Sequence, residues 1–542
     1  MKKHLKDITP AIILAFVASF MLFIYEPIIT YASNTEDFWF DLTALFKANI
    51  VYLIIAMFTI TLISSIVYII AKWSKKDIIY KAYILIAFAI FFATYLQGNF
   101  FSGKLPTLDG SPIEWSKYKT QSIISIILIL LTLGASILIG IKYKEKYKKI
   151  AIFICLVVLV MLSTSLISTM LTSKQIYEKK GIYTATNIDI NKLSKNRNFL
   201  MLLVDMEDSK TFDKVVKDNN KEYLFKDFTY FPDTLSAYPF TRESIPYILS
   251  GVWFEEETTF TEYFNNAFTN SKFIQNLKDN GYDVNIYEKQ LLWTDEKALE
   301  INNIKAVNTK LDKVKFLKQE SKYILFKYLP FYLKKYSKIE TLNYDVCRDE
   351  ENSTYETFND DNKMIYDVLG EISFQKDNYF QFIHADGGHY PWNMNKNFET
   401  VENGTYEEKI GSSITMIEKY LDRIKKSGQY DNSIIIILAD HGNNGYNPIG
   451  RQNPILYIKG LNETHEEMQI SNKKVSYVDL NDRIYYDLLD GKKSSELLED
   501  IDENRIRRFI WYKDYDDMYE QTLDGHAWET DKLINTGNRY KR

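Results

Sequence analysis

Ser433–Gly442, SIIIILADHG, sets the architecture to expect of this chain. Five aliphatic residues in a row, 434–438, follow neither the period of an amphipathic helix nor the alternation of a half-buried strand. They read as a strand buried on both faces, the pattern of a parallel sheet covered by helices. The run ends in Asp440-His441-Gly442, so a carboxylate and an imidazole emerge together at the strand's carboxyl end. Outward from it, NFLMLLVD (198–205) is another such strand, ending at Asp205. YFQFIHADGGHYPW (379–392) is a third, running into a loop that carries His384 and His389. NPILYIKG (453–460) reads as one more. Between them, SKFIQNLKDNGYDVNIY (271–287) reads as helix, Gly281 stop and strand, and Ile410, Ile414, Ile417, Leu421 and Ile424 recur at helical spacing. Strands alternating with amphipathic helices predict an α/β domain with a mostly parallel central sheet. Ligands of such sheets gather at the carboxyl ends of the strands, where Asp205, the His384–His389 loop and the Asp440–His441 pair all fall.

The first third of the 542-residue chain has another character. The runs 8–25, 48–71, 82–103, 120–141 and 150–173 contain no charged residue, and each is long enough to cross ~30 Å of hydrocarbon as a helix. Lys2, Lys3 and Lys6 precede the first run. Lys72, Lys75, Lys76 and Lys81 lie between the second and third, and Lys142, Lys144, Lys146, Lys148 and Lys149 between the fourth and fifth. Lysine-rich loops stay in the cytoplasm, so the expectation is five spans with the N-terminus inside and everything after about Ser173 outside. The first run has no clear small-x-small site, which argues against a cleaved signal peptide. The expected division is a transmembrane domain at 1–173, a polar juxtamembrane linker at 174–196 and an extracytoplasmic catalytic domain at 197–542 with its core at about 197–460. Cys155 lies inside the fifth span and Cys347 alone in the outer domain, so no disulfide staples that domain. A net charge of -5 argues against nucleic acid as a partner.

Asp440 and His441 alone would read as a helix cap and a surface histidine. The chain has only six histidines, however, and three fall in the two strand-end loops, with Asp205 after a separate strand. That set suits a divalent metal. The nucleophile comes from TRESIPYILSG (241–251). Thr241 there is a helix N-cap or a catalytic hydroxyl. A free threonine hydroxyl is a weak nucleophile, but coordination to a cation lowers its pKa. Thr241 as fourth ligand beside Asp205, Asp440 and His441 would gain that activation, and Glu207 is a rival to Asp205.

These motifs, in this order behind five spans, resemble the membrane-bound phosphotransferase branch of the alkaline phosphatase/sulfatase superfamily, with phosphoethanolamine transferases and lipoteichoic acid synthase among its members. Sulfatases carry C-x-P-S-R and a later T-G. Aligned on Gly251, TRESIPYILSG sets Thr241 at the modified cysteine and Ser244 at the motif serine. Without a cysteine no formylglycine forms, and threonine is what the transferases use. HADGGH (384–389) is similar to the H-x-x-G-S-H segment of phosphoethanolamine transferases, and ADHG (439–442) to the family's metal-binding D-H-G. The chain departs from the pattern at Asn443, where many relatives have Glu. It departs again around Arg451, Gln452 and Asn453, where phosphoethanolamine transferases have a further histidine.

The resemblance implies an extracytoplasmic, sulfatase-like enzyme with one zinc or manganese ion at Asp205, Thr241, Asp440 and His441. It implies that a phospho-head group, phosphoethanolamine or phosphoglycerol, passes from a phospholipid donor through phosphothreonine at Thr241 to a cell-envelope glycan or lipid acceptor. His389, or His384, would protonate the departing alkoxide or bind phosphate oxygens. Arg451, Ser244 and Trp392 are the candidate substrate contacts, and His465 and His526 read as structural or surface residues. Two other readings use the same residues: a phosphodiesterase or phosphatase with water as acceptor, and a non-catalytic membrane protein with a degenerate domain.

Overall fold

The computed structural model describes residues 2–33, 35, 38–102, 105, 113–143, 146–177, 183–254, 260–289, 293–306, 310–337, 344–349, 355–443, 450–502, 504–514 and 517–541. The chain forms two compact units, Met1–Lys180 with Thr309–Asn352, and Gly181–Asn308 with Ser353–Arg542.

In the first unit five helices are long and apolar enough to cross a membrane: Asp7–Ser33, Leu42–Trp73, Asp77–Phe100, Trp115–Lys142 and Tyr147–Thr172. They cover the five uncharged runs except at two ends, the third helix stopping at Phe100 and the fifth at Thr172; Gly103, the expected end of the third run, lies outside the described residues. Phe58, Leu130, Leu138 and Ile167 are all more than half exposed, a surface that only hydrocarbon would solvate. The first helix outlasts its apolar run. Pro27 has no N–H to return to residue 23 and its ring crowds that carbonyl. The helix widens into a π turn at Met21–Tyr25 and then continues through Glu26–Ser33.

Glu26 ended the apolar run in the sequence, yet it is fully buried. Its carboxylate accepts from Lys327 Nζ at 2.6 and 2.7 Å and from Tyr328 Oη at 2.8 Å. Both partners come from the helix Lys313–Tyr328, in a segment that the sequence reading assigned to the catalytic domain. The structure groups Thr309–Asn352 with the apolar helices instead. Asp312 caps the helix through the backbone N–H groups of Val314 and Lys315. Phe316, Glu320, Ile324 and Tyr328, one face at four-residue spacing, are buried. Tyr344 stacks on Phe38 at 4.4 Å, accepts from Trp39 Nε1 at 2.8 Å through its carbonyl, and donates its hydroxyl to Glu320 at 2.7 Å. Cys347 is buried in this same cluster, not in the outer domain, and neither Cys155 nor Cys347 is in a disulfide.

The second unit is built on seven strands: β1 (Asn198–Val204), β2 (Thr229–Tyr230), β3 (Tyr282–Tyr287), β4 (Asn378–Ala385), β5 (Ser433–Leu438), β6 (Leu456–Lys459) and β7 (Gln469–Ile470). Their order is β7-β2-β6-β5-β1-β4-β3. Strands β5, β1, β4 and β3 are parallel, and β6 is antiparallel to both neighbours. Every residue of β1, β5 and β6 is buried, as the continuous apolar runs predict. The stretch 174–196, polar enough to read as a linker, holds the short strands Tyr183–Ala185 and Lys192–Ser194. Its residues 178–182 lie outside those described.

The buried ion pair gives a stability test. Lys327→Met should strand the Glu26 carboxylate and destabilise the protein by about 3–5 kcal/mol, whereas adding Glu26→Gln should restore much of the loss. Thermal unfolding of detergent-solubilised single and double variants measures both.

Candidate active site and metal centre

Parallel register sets the site. Leu203 of β1 pairs with Leu438 of β5 and with His384 of β4. The residues that follow these positions therefore leave the sheet side by side. Asp205 follows β1, Asp440 and His441 follow β5, and the His384–His389 loop follows β4. Gly387 allows that loop to close: its φ is +53°, and a Cβ there would stand 2.5 Å from the Asp205 backbone N and O. Gly388 N–H donates to the Asp205 carbonyl at 2.9 Å.

One ligand atom each from Asp205, Asp440 and His441 lie within 4.8 Å of one another, all on buried residues. Asp440 Oδ1 is held by the backbone N–H groups of Met206 and His441 at 3.0 and 2.8 Å, which leaves Oδ2 for the cluster. His441 Nδ1 lies 2.8 Å from the Gly442 carbonyl. A carbonyl only accepts, so Nδ1 carries the proton and Nε2 presents a lone pair. That Nε2 stands 3.2 Å from Asp440 Oδ2 and 3.9 Å from Asp205 Oδ1. Both carboxylate oxygens are buried without a hydrogen-bond partner among the described residues. Three acceptors facing one another, with the Thr241 hydroxyl beside them, fit a divalent cation. Glu207 is fully buried and outside this cluster. Burial, with help from the Asp208 and Asp205 charges, raises its pKa well above the usual range.

Thr241 opens the helix Thr241–Ser250, and the residue at the cap position is Phe240, with no side-chain cap. The threonine hydroxyl is thus not spent on capping. It donates to Asp205 Oδ2 at 3.2 Å and lies 3.4 Å from His441 Nε2. Ser244 is fully buried and gives its hydroxyl to the Asp440 carbonyl at 2.7 Å, bracing this helix against the metal loop. Arg451 is buried, with its guanidinium 4.8 Å above the Phe240 ring and Nη1 donating to Pro239 O at 3.2 Å. Trp392 donates Nε1 to Gly388 O at 3.2 Å and packs on Tyr406.

The two loop histidines differ. His384 is buried, with Nδ1 2.8 Å from Glu288 Oε2 and Nε2 3.5 Å from Asp205 Oδ2. His389 is only partly buried, with Nδ1 donating to Tyr390 O at 2.6 Å. Burial disfavours the charged form of both, but the carboxylates outweigh it: Glu288 and Asp205 raise the His384 pKa well above its usual value, and Asp205 and Asp386 raise that of His389. Burial lowers the pKa of His441, although Asp440 opposes it. Burial also works against ionisation of Asp205, yet His389, His384 and His441 hold its pKa below the ordinary carboxylate range. Burial and the Asp205 charge push Asp440 the other way. Sequence reasoning missed Glu288, which directly follows β3 and obeys the same strand-end rule as Asp205. It also missed the Asp386–Lys409 pair at 2.6 Å under the histidine loop. His526 pairs with Asp233 at 2.6 Å and His465 with Glu463 at 3.1 Å, both in structural networks.

The family model for Sulfatase matches residues 210–472, which follow the five apolar helices in the chain. No curated protein matches. Among solved structures, Ps i-CgsB is 13% identical over 61% of this chain and 83% of its own, with a TM-score of 0.41. A protein of the alkaline phosphatase superfamily from Vibrio parahaemolyticus is 14% identical over 66% and 84%, TM-score 0.35. The C-terminal periplasmic domain of EcEptC from Escherichia coli is 10% identical over 66% and 95%, TM-score 0.33.

The cluster separates the two rival carboxylates experimentally. Asp205→Asn and Asp440→Asn should each lower bound metal in the purified protein, and Glu207→Gln should leave it unchanged; elemental analysis reads the difference. A chelator should lower the unfolding temperature of the wild type more than that of Asp440→Asn, which has already lost one of the repelling charges.

Proposed function

We propose that this protein is a metal-dependent membrane transferase that moves phosphoethanolamine or phosphoglycerol from a phospholipid to a hydroxyl of a cell-envelope glycan or lipid. The observation that carries this reading is the uncapped Thr241 hydroxyl at the start of a helix, 3.2 Å from Asp205 and 3.4 Å from His441, in a chain with five apolar helices. Asp205, Asp440, His441 and the Thr241 oxygen would hold one divalent ion, zinc or manganese, which would acidify the hydroxyl and offset charge on a phosphoryl group.

Thr241 gives its proton to solvent and its oxygen attacks phosphorus. The O–P bond to Thr241 forms as the bond to the diacylglycerol oxygen breaks. His389, whose pKa the Asp205 and Asp386 carboxylates raise against the effect of burial, gives its proton to the departing alkoxide. An acceptor hydroxyl then attacks the phosphothreonine, its proton returns to His389, the O–P bond to Thr241 breaks, and the threonine oxygen regains a proton from solvent. The N-terminal end of the Thr241–Ser250 helix favours the anionic group throughout, and the Arg451 guanidinium over Phe240 adds positive charge beside it. A lipid donor explains why the enzyme carries its own membrane helices. In this reading the N-terminus is cytoplasmic and the sheet unit is outside the membrane.

Two measurements test the proposal. Protein incubated with phospholipid but no acceptor should accumulate a head-group adduct on the peptide that contains Thr241, and its mass distinguishes phosphoethanolamine from phosphoglycerol. A bare phosphoryl group would indicate phosphatase chemistry. Thr241→Ala should form no adduct and Thr241→Ser should keep some activity; transfer at the wild-type rate by Thr241→Ala refutes the covalent route. For topology, proteolysis of spheroplasts should cut within 174–196, and a reporter fused at Arg542 should behave as extracytoplasmic.

A further inference from the structure

The helical unit contains a site of its own, lined by none of the residues assigned to the metal centre. A cleft of about 420 Å³ lies between the third and fourth apolar helices and the Lys313–Tyr328 helix. Ala93, Ile129, Leu133 and Leu325 give it apolar walls, and Gln97 and Tyr328 are among its polar members. Tyr328 approaches the third helix closely because Gly98 has no side chain: a Cβ there would stand 2.3 Å from the Tyr328 ring. The Tyr328 hydroxyl is engaged by Glu26. Gln97 is different. It is only 4% exposed, its Nε2 donates to the Phe101 carbonyl at 3.1 Å, and its Oε1 has no hydrogen-bond partner among the described residues. A buried acceptor left unmet is costly, and at this wall it asks for a donor from outside the protein.

Ile90 and Leu325, which also line the cleft, are 58% and 54% exposed. The mouth of the cleft is therefore continuous with the apolar surface that the spans turn towards hydrocarbon. Depth along the third helix fits one ligand. Gln97 is three residues from the helix end at Phe100, roughly 5 Å along the axis, and Ala89 is about 12 Å deeper than Gln97. A polar demand near the helix end and apolar walls below it match the order of head group and chain in a lipid.

We propose that this cleft binds a phospholipid of the surrounding bilayer, one acyl chain lying between Ala93, Leu133 and Leu325 and an ammonium or hydroxyl of the same molecule donating to Gln97 Oε1. The site stands on the helical unit alone. Its placement in the outer leaflet rests on the orientation proposed above, in which the third helix ends outside; the Arg542 reporter tests that orientation separately.

The experiment uses the full-length protein in bilayer nanodiscs of phosphatidylethanolamine and phosphatidylglycerol, with a trace of phosphatidylethanolamine bearing a diazirine in mid-chain. On irradiation, label should concentrate on the peptides containing Ala93, Ile129 and Leu325. Ala93→Trp and, from the other wall, Leu133→Trp should each reduce that labelling to the level of the exposed helix faces, with an unchanged unfolding temperature in at least one of them. Gln97→Leu should weaken it about two- to tenfold, the worth of one hydrogen bond. Label spread evenly over the exposed faces of the five helices, or concentrated label that neither tryptophan reduces, overturns the proposal. Lipid capture is read without turnover, so Thr241→Ala should label like the wild type, and failure of the transferase reading would leave this result standing.

Discussion

The register of four parallel strands is the constraint on which the rest of the active site depends. Leu203 pairs with Leu438 on one side and His384 on the other, and Ile383 pairs with Tyr287. Asp205 and Asp440 therefore emerge at one level from two neighbouring strands, and Glu288, beyond β4, leaves β3 at the level of His384. A one-residue slip in any strand would turn its chemistry-bearing residue into the sheet face. Buried residues on both faces of β1 and β5 prevent the slip, since the helices packed over them accept only aliphatic surface. The cost of this arrangement is electrostatic: carboxylates are driven together at a buried rim.

How the rim tolerates that crowding determines its chemistry. Three imidazoles surround Asp205 and keep it ionised, while Asp440, with one oxygen tied to two backbone N–H groups, carries the strain of its charge. Glu207, one residue beyond Met206, responds in another way: burial and its acidic neighbours push its pKa up. The same crowding assigns different work to the three histidines. His441 presents a lone pair to the cluster, His384 is pinned by Glu288, and only His389 is both partly exposed and held above its ordinary pKa. A general acid needs those last two properties together.

The strand-end residues were legible because strands buried on both faces are written as unbroken apolar runs, so Asp205 and Asp440 stand out where the run stops. Glu288 was not, because β3 reads YDVNIY, with Asp283 and the buried Asn285 interrupting the pattern. The segment Thr309–Asn352 was the larger miss. Seven lysines between 313 and 336 give it the look of a solvated surface, and its four-residue apolar spacing is too sparse to announce a membrane partner. What places it is Glu26, 301 residues away in sequence. In the sequence that glutamate marks the end of a span; in the structure it continues the helix and recruits Lys327.

That ion pair also explains how a lipid cleft arises in a unit whose helices are otherwise apolar all round. Two spans packed directly together would close on one another, as the third and fourth do where Ser136 donates to the Leu85 carbonyl at 2.7 Å. Nearer the other end, the Lys313–Tyr328 helix wedges between them, with Ser125 Oγ accepting from the Phe331 N–H at 3.0 Å and Tyr328 seated on Gly98. A charged pair is an expensive way to join helices in an apolar setting, and apolar contact alone could have done so. Its advantage is direction: Lys327 and Tyr328 both reach one carboxylate, which fixes the rotation of the helix and turns Ile324 and Leu325 towards the cleft. The cleft is thus a consequence of where Glu26 sits, and its shape depends on a segment of chain that leaves the sheet unit and returns to it.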